Sequence, residues 1–210
     1  MKMLDLAVVE SRWWERGNVS VRGLFDLIAS IQKGNPDAYH YEMFNNAASF
    51  EEIVYRVAWK DHIRHLVIAA HGDENGIYGA EADENENNRI SRAQIRRVLR
   101  GVSEGDLDGL YLGTCLTGND DTVEFLMNGT SLNWIAGYSS TIGWLEGSAV
   151  DLYFWTTYYK TRNVGGEDQR IRRVAGRMNS MKNLCSNLGF DIFVRGDEAN
   201  GGVQGLLSSD

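Results

Sequence analysis

Two residues whose side chains could perform covalent chemistry follow apolar segments of the sequence. His71 comes directly after the run "HLVIAA" (65–70), and Cys115 ends the run "GLYLGTC" (109–115). A thiol that faces an imidazole is the minimal apparatus for nucleophilic acyl transfer. We therefore hypothesise that Cys115 and His71 form a catalytic pair.

Gly72, directly after His71, adds a second element of the same chemistry. A glycine lets the backbone approach a substrate closely, and its N–H can bind an oxyanion together with the N–H of Cys115. Taken singly, a His or Cys beside a buried strand is more often a packing residue than a catalytic one. Cys185 and the histidines His40, His62 and His65 are therefore interpreted as structural residues. The joint placement of His71 and Cys115 is what favours catalysis.

The elements that must position these residues alternate between strands and helices. Apolar runs predict six strands, and periodic amphipathic segments predict the helices between them; Ser91 and either Asn119 or Asp120 are expected to be N-caps. The predicted strands are 4–10, 38–45, 65–70, 109–115, 133–140 and 190–196, and the predicted helices are 20–33, 49–61, 91–101, 119–130, 147–162 and 167–188. This alternation indicates an α/β fold with a mostly parallel six-stranded sheet and helices on both faces.

The carboxyl ends of parallel strands meet at one edge of a sheet, where ligands of α/β proteins bind. His71 and Cys115 would share a crevice there if their strands are neighbours. The long segment 73–90 is interpreted as a small hairpin with a polar tip. Residues 1–196 are expected to form one domain, and residues 197–210 a flexible C-terminal tail.

Composition excludes several classes of protein. A formal net charge of -8 argues against nucleic-acid binding. The two cysteines have no metal-ligand spacing, and "DENENNR" (83–89) lacks the spacing of a calcium loop, so no metal and no cofactor are expected. No run is apolar enough to span a membrane, and a cytoplasmic location is expected. A flavodoxin-like nucleotide binder is disfavoured because "ESRWWERGN" (10–18) replaces the Gly-rich loop after the first strand.

The order and spacing of these segments resemble the caspase-like (clan CD) cysteine peptidases. His71 and Gly72 end one apolar run, and Cys115 follows His71 by 44 positions, against about 50 in caspases. With the "WIAGYSS" strand (134–140) and the long helix after it, the chain is most similar to the bacterial CHAT and separase-like branch. "LGTCLTG" differs from animal caspases, which carry glutamine and alanine before the nucleophile.

The resemblance implies a caspase-like αβα sandwich and an endopeptidase with a Cys–His dyad. His71 and Cys115 match the catalytic positions, and Gly72 and Cys115 match the oxyanion hole. The expected binding partners are a protein or peptide substrate and a regulatory protein, without nucleic acid or membrane. We expect activity to be controlled by that partner or by the ordering of loops such as 73–90 and 116–119. The alternative function is a catalytically silent caspase-like module that binds another protein.

The resemblance also implies where the side chain before the scissile bond, P1, would enter. Segments 10–14 and 137–148 would form the P1 pocket, with Glu10, Arg12, Ser139, Trp144 and Glu146 as its candidate residues. An inward carboxylate would select Lys or Arg, whereas an inward Arg12 would select Asp or Glu. Two acids against one base favour a basic P1, and an apolar pocket with all three charges solvated is the alternative.

Overall fold

The computed structural model describes residues 3–12, 14, 19–80, 88–102, 107–196 and 202–207. Ten strands are present in this part of the chain, and three of them form a separate small sheet. The strands are β1 Leu6–Ser11, β2 His40–Phe44, β3 His65–Ala69, β4 Gly72–Asp73, β5 Gly76–Tyr78, β6 Arg89–Ser91, β7 Gly109–Gly113, β8 Trp134–Tyr138, β9 Phe190–Arg195 and β10 Val203–Gly205.

The helices lie between these strands in the expected order. They are α1 Arg22–Lys33, α2 Ala47–Ala58, α3 Arg92–Gly101, α4 Asp120–Met127, α5 Trp144–Lys160, α6 Glu167–Met178 and α7 Lys182–Leu188, with a 3₁₀ turn over Asn179–Met181. Ser91 caps α3 through a capping box with Gln94, and Asn119 caps α4. The predicted helix 167–188 is therefore divided at the 3₁₀ turn.

The large sheet has the strand order β10-β9-β8-β7-β3-β1-β2. The five strands from β2 to β8 in this order run parallel to one another. Strand β9 is antiparallel to β8, and β10 is antiparallel to β9. The sheet has seven strands where six were predicted, because Val203–Gly205 pairs with β9 inside the segment expected to be a loose tail. The "carboxyl edge" below is the edge where the five parallel strands end, and the "amino edge" is the opposite one.

Helices cover both faces of the sheet, which confirms the predicted α/β sandwich. One core cluster joins one face of the sheet to α1, α5, α6 and α7, through residues such as Phe25, Phe154 and Ile171. The other cluster joins the opposite face to α2, α3 and α4, through residues such as Phe50, Ile95 and Val123. Strands buried on both faces explain the continuous apolar runs of the sequence, since every residue of β1 and β3 is buried.

Candidate active site

The parallel pairing of β3 with β7 brings His71 and Cys115 to the same place at the carboxyl edge. Ala69, the last residue of β3, is in register with Gly113, the last residue of β7. His71 and Cys115 each lie two residues beyond these ends, rather than at the ends themselves as predicted. The two side chains therefore leave neighbouring strands at the same level, and both line one cleft of about 90 Å³.

The backbone of Gly72 packs directly against the loop that carries Cys115. A Cβ atom at Gly72 would lie 2.6 Å from the carbonyl oxygen of Cys115, so a side chain there would force the two loops apart. Strand β4 pairs Gly72 with Ile77, and the N–H of Tyr78 donates to the carbonyl of His71. Because hydrogen-bonded and non-hydrogen-bonded pairs alternate in antiparallel strands, the N–H of Gly72 points away from β5.

Cys115 is half-buried, and its sulfur is held over the cleft by the chain that follows β8. The N–H of Ile142 donates to Cys115 Sγ at 3.4 Å, and Ile142 itself lines the cleft. The imidazole of His71 is exposed. A thiol and an imidazole thus line the same cleft, and these are the two groups that nucleophilic acyl transfer by a Cys–His pair uses.

A buried carboxylate, Asp151 of α5, lines the same cleft. Its side chain accepts hydrogen bonds of 2.5 Å from the hydroxyls of Tyr111 and Tyr138. Burial raises the pKa of Asp151 to about 6, and the two tyrosine hydrogen bonds lower it only in part. Both partners are neutral, so the negative charge of Asp151 is hydrogen-bonded without being neutralised. A buried charge of this kind is stabilised by a cationic partner.

The residues predicted to form a P1 pocket are divided by the structure. Trp144, the first residue of α5, lines the cleft and is 41% exposed. The other four candidates do not line the cleft in the described part of the chain; they are Glu10, Arg12, Ser139 and Glu146. Arg12 and Glu146 are exposed, and Ser139 donates through its hydroxyl to the carbonyl of Gly189.

Glu10 has a supporting position instead. It is fully buried and accepts hydrogen bonds from Ser20 Oγ, Tyr41 OH and the N–H of Val21. Val21 precedes α1 and lines the cleft. Glu10 therefore fixes one wall of the cleft without reaching into it.

Sequence reasoning missed Asp151 and the two tyrosines that hold it. Asp151 lies within the helical pattern that follows "WIAGYSS", four residues after Gly147, which also lines the cleft. An acid flanked by Val150 and Leu152 in an apolar helix was the available signal, because a charge inside a buried helix needs partners. Its tyrosine partners come from β7 and β8, and only the sheet order brings them together.

The remaining sequence expectations concern metals, membranes and structural residues. Among the described residues, no group of three or more His, Cys, Asp or Glu side chains is arranged to hold a metal ion. None of the helices in the described part of the chain is long and apolar enough to cross a bilayer. Cys185 is buried in the core, as expected. Most of the "DENENNR" run lies outside the described residues.

Comparison with known proteins finds a similar structure and no similar sequence. No protein-family model matches this sequence, and no curated protein matches it. The structure is similar to that of a secreted C11 cysteine protease from Bacteroides thetaiotaomicron, solved in complex with an irreversible peptide inhibitor. The TM-score is 0.53 at 11% sequence identity; the match covers 90% of this chain and 65% of that one, just under two thirds of its length. The likeness shows a caspase-like fold.

Proposed function

We propose that this chain is a cysteine endopeptidase that cleaves protein substrates with a Cys115–His71 dyad. The observation that carries the proposal is that the two residues leave adjacent parallel strands at the same register position and line one cleft. The caspase-like fold, shared with a cysteine protease, is consistent with this chemistry. Placement within the CHAT and separase-like branch rests on the sequence resemblance alone.

The proposed reaction follows the order of acyl transfer. The sulfur of Cys115 attacks the scissile carbonyl, and the oxygen of the tetrahedral intermediate is stabilised by the N–H groups of Gly72 and Cys115. His71 takes the thiol proton of Cys115 and gives it to the leaving amine as the C–N bond breaks. Water then hydrolyses the thioester, which releases the carboxylic acid product and returns the thiol. The orientation of the Gly72 N–H, away from β5, supports its role in this step.

For the P1 side chain we propose a basic residue, Lys or Arg. The cleft beside the dyad contains Asp151, whose partners within the described part of the chain are two tyrosine hydroxyls. Burial raises the pKa of this carboxyl to about 6. A buried charge without a counter-charge is costly, and an entering ammonium or guanidinium would neutralise it. The selecting acid is thus proposed to be Asp151 rather than Glu10 or Glu146.

We also propose that a partner protein or the ordering of loops controls the activity, in a cytoplasmic setting. Strands β4 and β5 directly follow His71, and residues 116–119 directly follow Cys115. A shift of either segment would move one half of the dyad, which is how many enzymes gate catalysis. The isolated chain is then expected to cleave slowly, and fast constitutive cleavage by freshly purified protein would contradict this part of the proposal.

A peptide-library cleavage profile of the purified chain tests the proposed function, with Cys115→Ala as the matched control. The expected result is cleavage after Lys or Arg that disappears in the control. Cleavage that persists in Cys115→Ala would exclude the dyad. No cleavage of any peptide, even at high protein concentration, would favour the silent interaction module.

A further inference from the structure

The residue after the proposed nucleophile has an unusual backbone conformation. Leu116 has a φ of 62° and is the single non-glycine residue in the described part of the chain with a positive φ. This left-handed region is unfavourable for a bulky side chain such as leucine. Such a conformation persists only when surrounding contacts impose it, and strained residues of this kind cluster at active sites.

Several hydrogen bonds hold the segment 115–119, here called the nucleophile loop. Besides the bond from Ile142 N–H to Cys115 Sγ and one between the hydroxyls of Thr114 and Thr117, three bonds fix the backbone of residues 116–118. Two are backbone bonds to the end of β8 and the residues after it: the N–H of Leu116 donates to Ser140 O at 3.3 Å, and the N–H of Gly118 donates to Tyr138 O at 2.8 Å. The third is the shortest and comes from a side chain. Asn119 Nδ2 donates to the carbonyl of Leu116 at 2.6 Å.

Asn119 uses both ends of its amide group. While Nδ2 holds Leu116, Oδ1 accepts the N–H of Thr122 at 2.9 Å and caps α4. Aspartate or serine could supply the cap, because both are good N-cap residues. An ionised aspartate has no donor for the Leu116 carbonyl. Capping uses only Oδ1 of Asn119, and the additional donor Nδ2 is the group that holds the left-handed turn.

The left-handed turn determines how the peptide after Cys115 lies against Gly72. The Cys115 carbonyl is so close to Gly72 that a Cβ there would lie 2.6 Å away. If Leu116 relaxed to a common conformation, this peptide would rotate and disturb the contact with Gly72. The relative position of the Gly72 and Cys115 backbones, on which the proposed oxyanion hole depends, would then change.

We propose that Asn119 is a positioning residue for the oxyanion hole: by holding the Leu116 carbonyl, it fixes the left-handed turn that aligns the Cys115 and Gly72 backbones. This inference rests on the proposed peptidase function. It assigns to Asn119 an effect on the transition state and little effect on the binding of substrate.

Steady-state kinetics of Asn119→Asp and Asn119→Ser test the inference. Loss of an oxyanion donor costs about 10²–10³ in kcat, so misalignment is expected to lower kcat by roughly tenfold to a hundredfold, with KM changed less than about twofold. Asn46→Asp is the matched control, because Asn46 caps α2 by accepting from the N–H of Ser49 away from the cleft; its kcat is expected to be unchanged. A kcat within about twofold of wild type in both Asn119 variants would overturn the inference.

A double-mutant cycle with Leu116→Gly separates positioning from simple capping. Glycine adopts the left-handed region without strain, so Asn119→Asp is expected to lower kcat by less in the Leu116→Gly protein than in wild type. An equal loss in both backgrounds would show that Asn119 acts only as a cap and would overturn the inference.

Hydrogen exchange keeps the inference separate from the proposed function. In Asn119→Asp, the Leu116 and Gly118 amides are expected to exchange at least about tenfold faster while the α4 amides keep their protection. If wild-type protein cleaves no peptide, the proposed function fails, and the exchange rates alone show whether Asn119 holds the backbone of the nucleophile loop. Unchanged exchange at both amides would overturn its positioning role.

Discussion

The two edges of the sheet each hold an acid that is partly or fully removed from water, and the two acids differ in their partners. At the carboxyl edge, Asp151 has two tyrosine hydroxyls, and burial raises its pKa to about 6. At the amino edge, Asp5 lies 3.6 Å from His65 Nε2 and accepts a hydrogen bond from Tyr159. Burial alone would raise the pKa of Asp5, but the His65 and Tyr159 contacts outweigh it and lower this pKa to about 2.

The different partners of the two acids indicate different roles: the charge of Asp5 is structural, and the charge of Asp151 is available to a ligand. The contacts of Asp5 are supplied by the chain itself, and His65 is also bonded to Tyr158, which contacts Glu167 and Arg170. Asp151 lies in the cleft that contains the proposed dyad. Perturbed acids in clefts are candidates for functional sites, whereas acids in internal networks stabilise the fold.

Substitution of either dyad residue should give the largest loss of kcat/KM, and only substitutions at the carboxyl edge should cause such a loss. Cys115→Ala and His71→Ala are each expected to lower kcat/KM by at least about a thousandfold, because the two groups act as a unit. Asp5→Asn, at the amino edge, is expected to leave kcat/KM within about twofold. Thermal unfolding measured on the same samples shows whether each variant is folded. Full activity in Cys115→Ala would break the assignment.

The two cysteines should react at very different rates. Cys185 is buried, and burial together with the charge of Asp191 raises its pKa to about 11, whereas Cys115 lines the cleft. Iodoacetamide at neutral pH is expected to label Cys115 at least about a hundredfold faster, since only the accessible thiolate reacts. Peptide mapping by mass spectrometry measures both rates, and faster labelling of Cys185 would contradict the account.

Asp151→Asn should reduce the preference for a basic P1. Loss of the pocket carboxylate is expected to lower kcat/KM for Lys and Arg substrates by about a hundredfold, with little change for a Leu substrate. In wild type, cleavage after Arg is expected to fall as the pH drops below about 6, where Asp151 takes up a proton. An unchanged P1 profile in Asp151→Asn would show that this acid does not select the substrate.

Several features of the carboxyl edge could be predicted from the sequence because local patterns determine them. The buried runs before His71 and Cys115 predicted two parallel strands, and the Asn119 cap was among the alternatives for α4. That the two strands are neighbours was a condition of the hypothesis, and the sheet order meets it. The partners of Asp151 could not be predicted, since Tyr111 and Tyr138 meet it only through sheet order. The pairing of Val203–Gly205 with β9 was missed because a three-residue strand has too little periodicity to recognise.

The placement of the P1 candidates shows the limit of loop prediction. Glu10 was expected in the pocket because it lies near the end of the first strand, but it is turned into hydrogen bonds with Ser20, Tyr41 and the start of α1. Side chains alternate along a strand, and a shift of one residue changes which side they face. Trp144 lies at the cleft because it follows the end of β8 by a few residues, and the sequence shows that position.

The two acids should affect stability in opposite directions, which is the smallest effect expected. The raised pKa of Asp151 means that its contribution to stability is fully present below about pH 4 and is lost as the pH rises to about 6. Asp151→Asn should therefore raise the free energy of unfolding by about 3 kcal/mol at pH 7, and this gain should vanish near pH 4.

For Asp5 the sign is reversed. Its lowered pKa contributes stability above about pH 4 that is lost as the pH falls toward 2. Asp5→Asn is expected to lose about 1 kcal/mol at pH 7, reduced by solvent screening because about a third of the side chain is exposed. Urea unfolding across this pH range measures both, and a loss of stability in Asp151→Asn at pH 7 would contradict the comparison.

The most direct measurement is kcat/KM of the wild-type chain for fluorogenic peptides that differ only at P1. Lys and Arg peptides are expected to be cleaved at least about a hundredfold faster than Leu or Asp peptides at pH 7.5, because only Lys and Arg carry a positive charge that can pair with the Asp151 carboxylate. The same peptides should remain intact with Cys115→Ala. A preference for Asp or Leu, or cleavage that survives in Cys115→Ala, would contradict the account of this cleft.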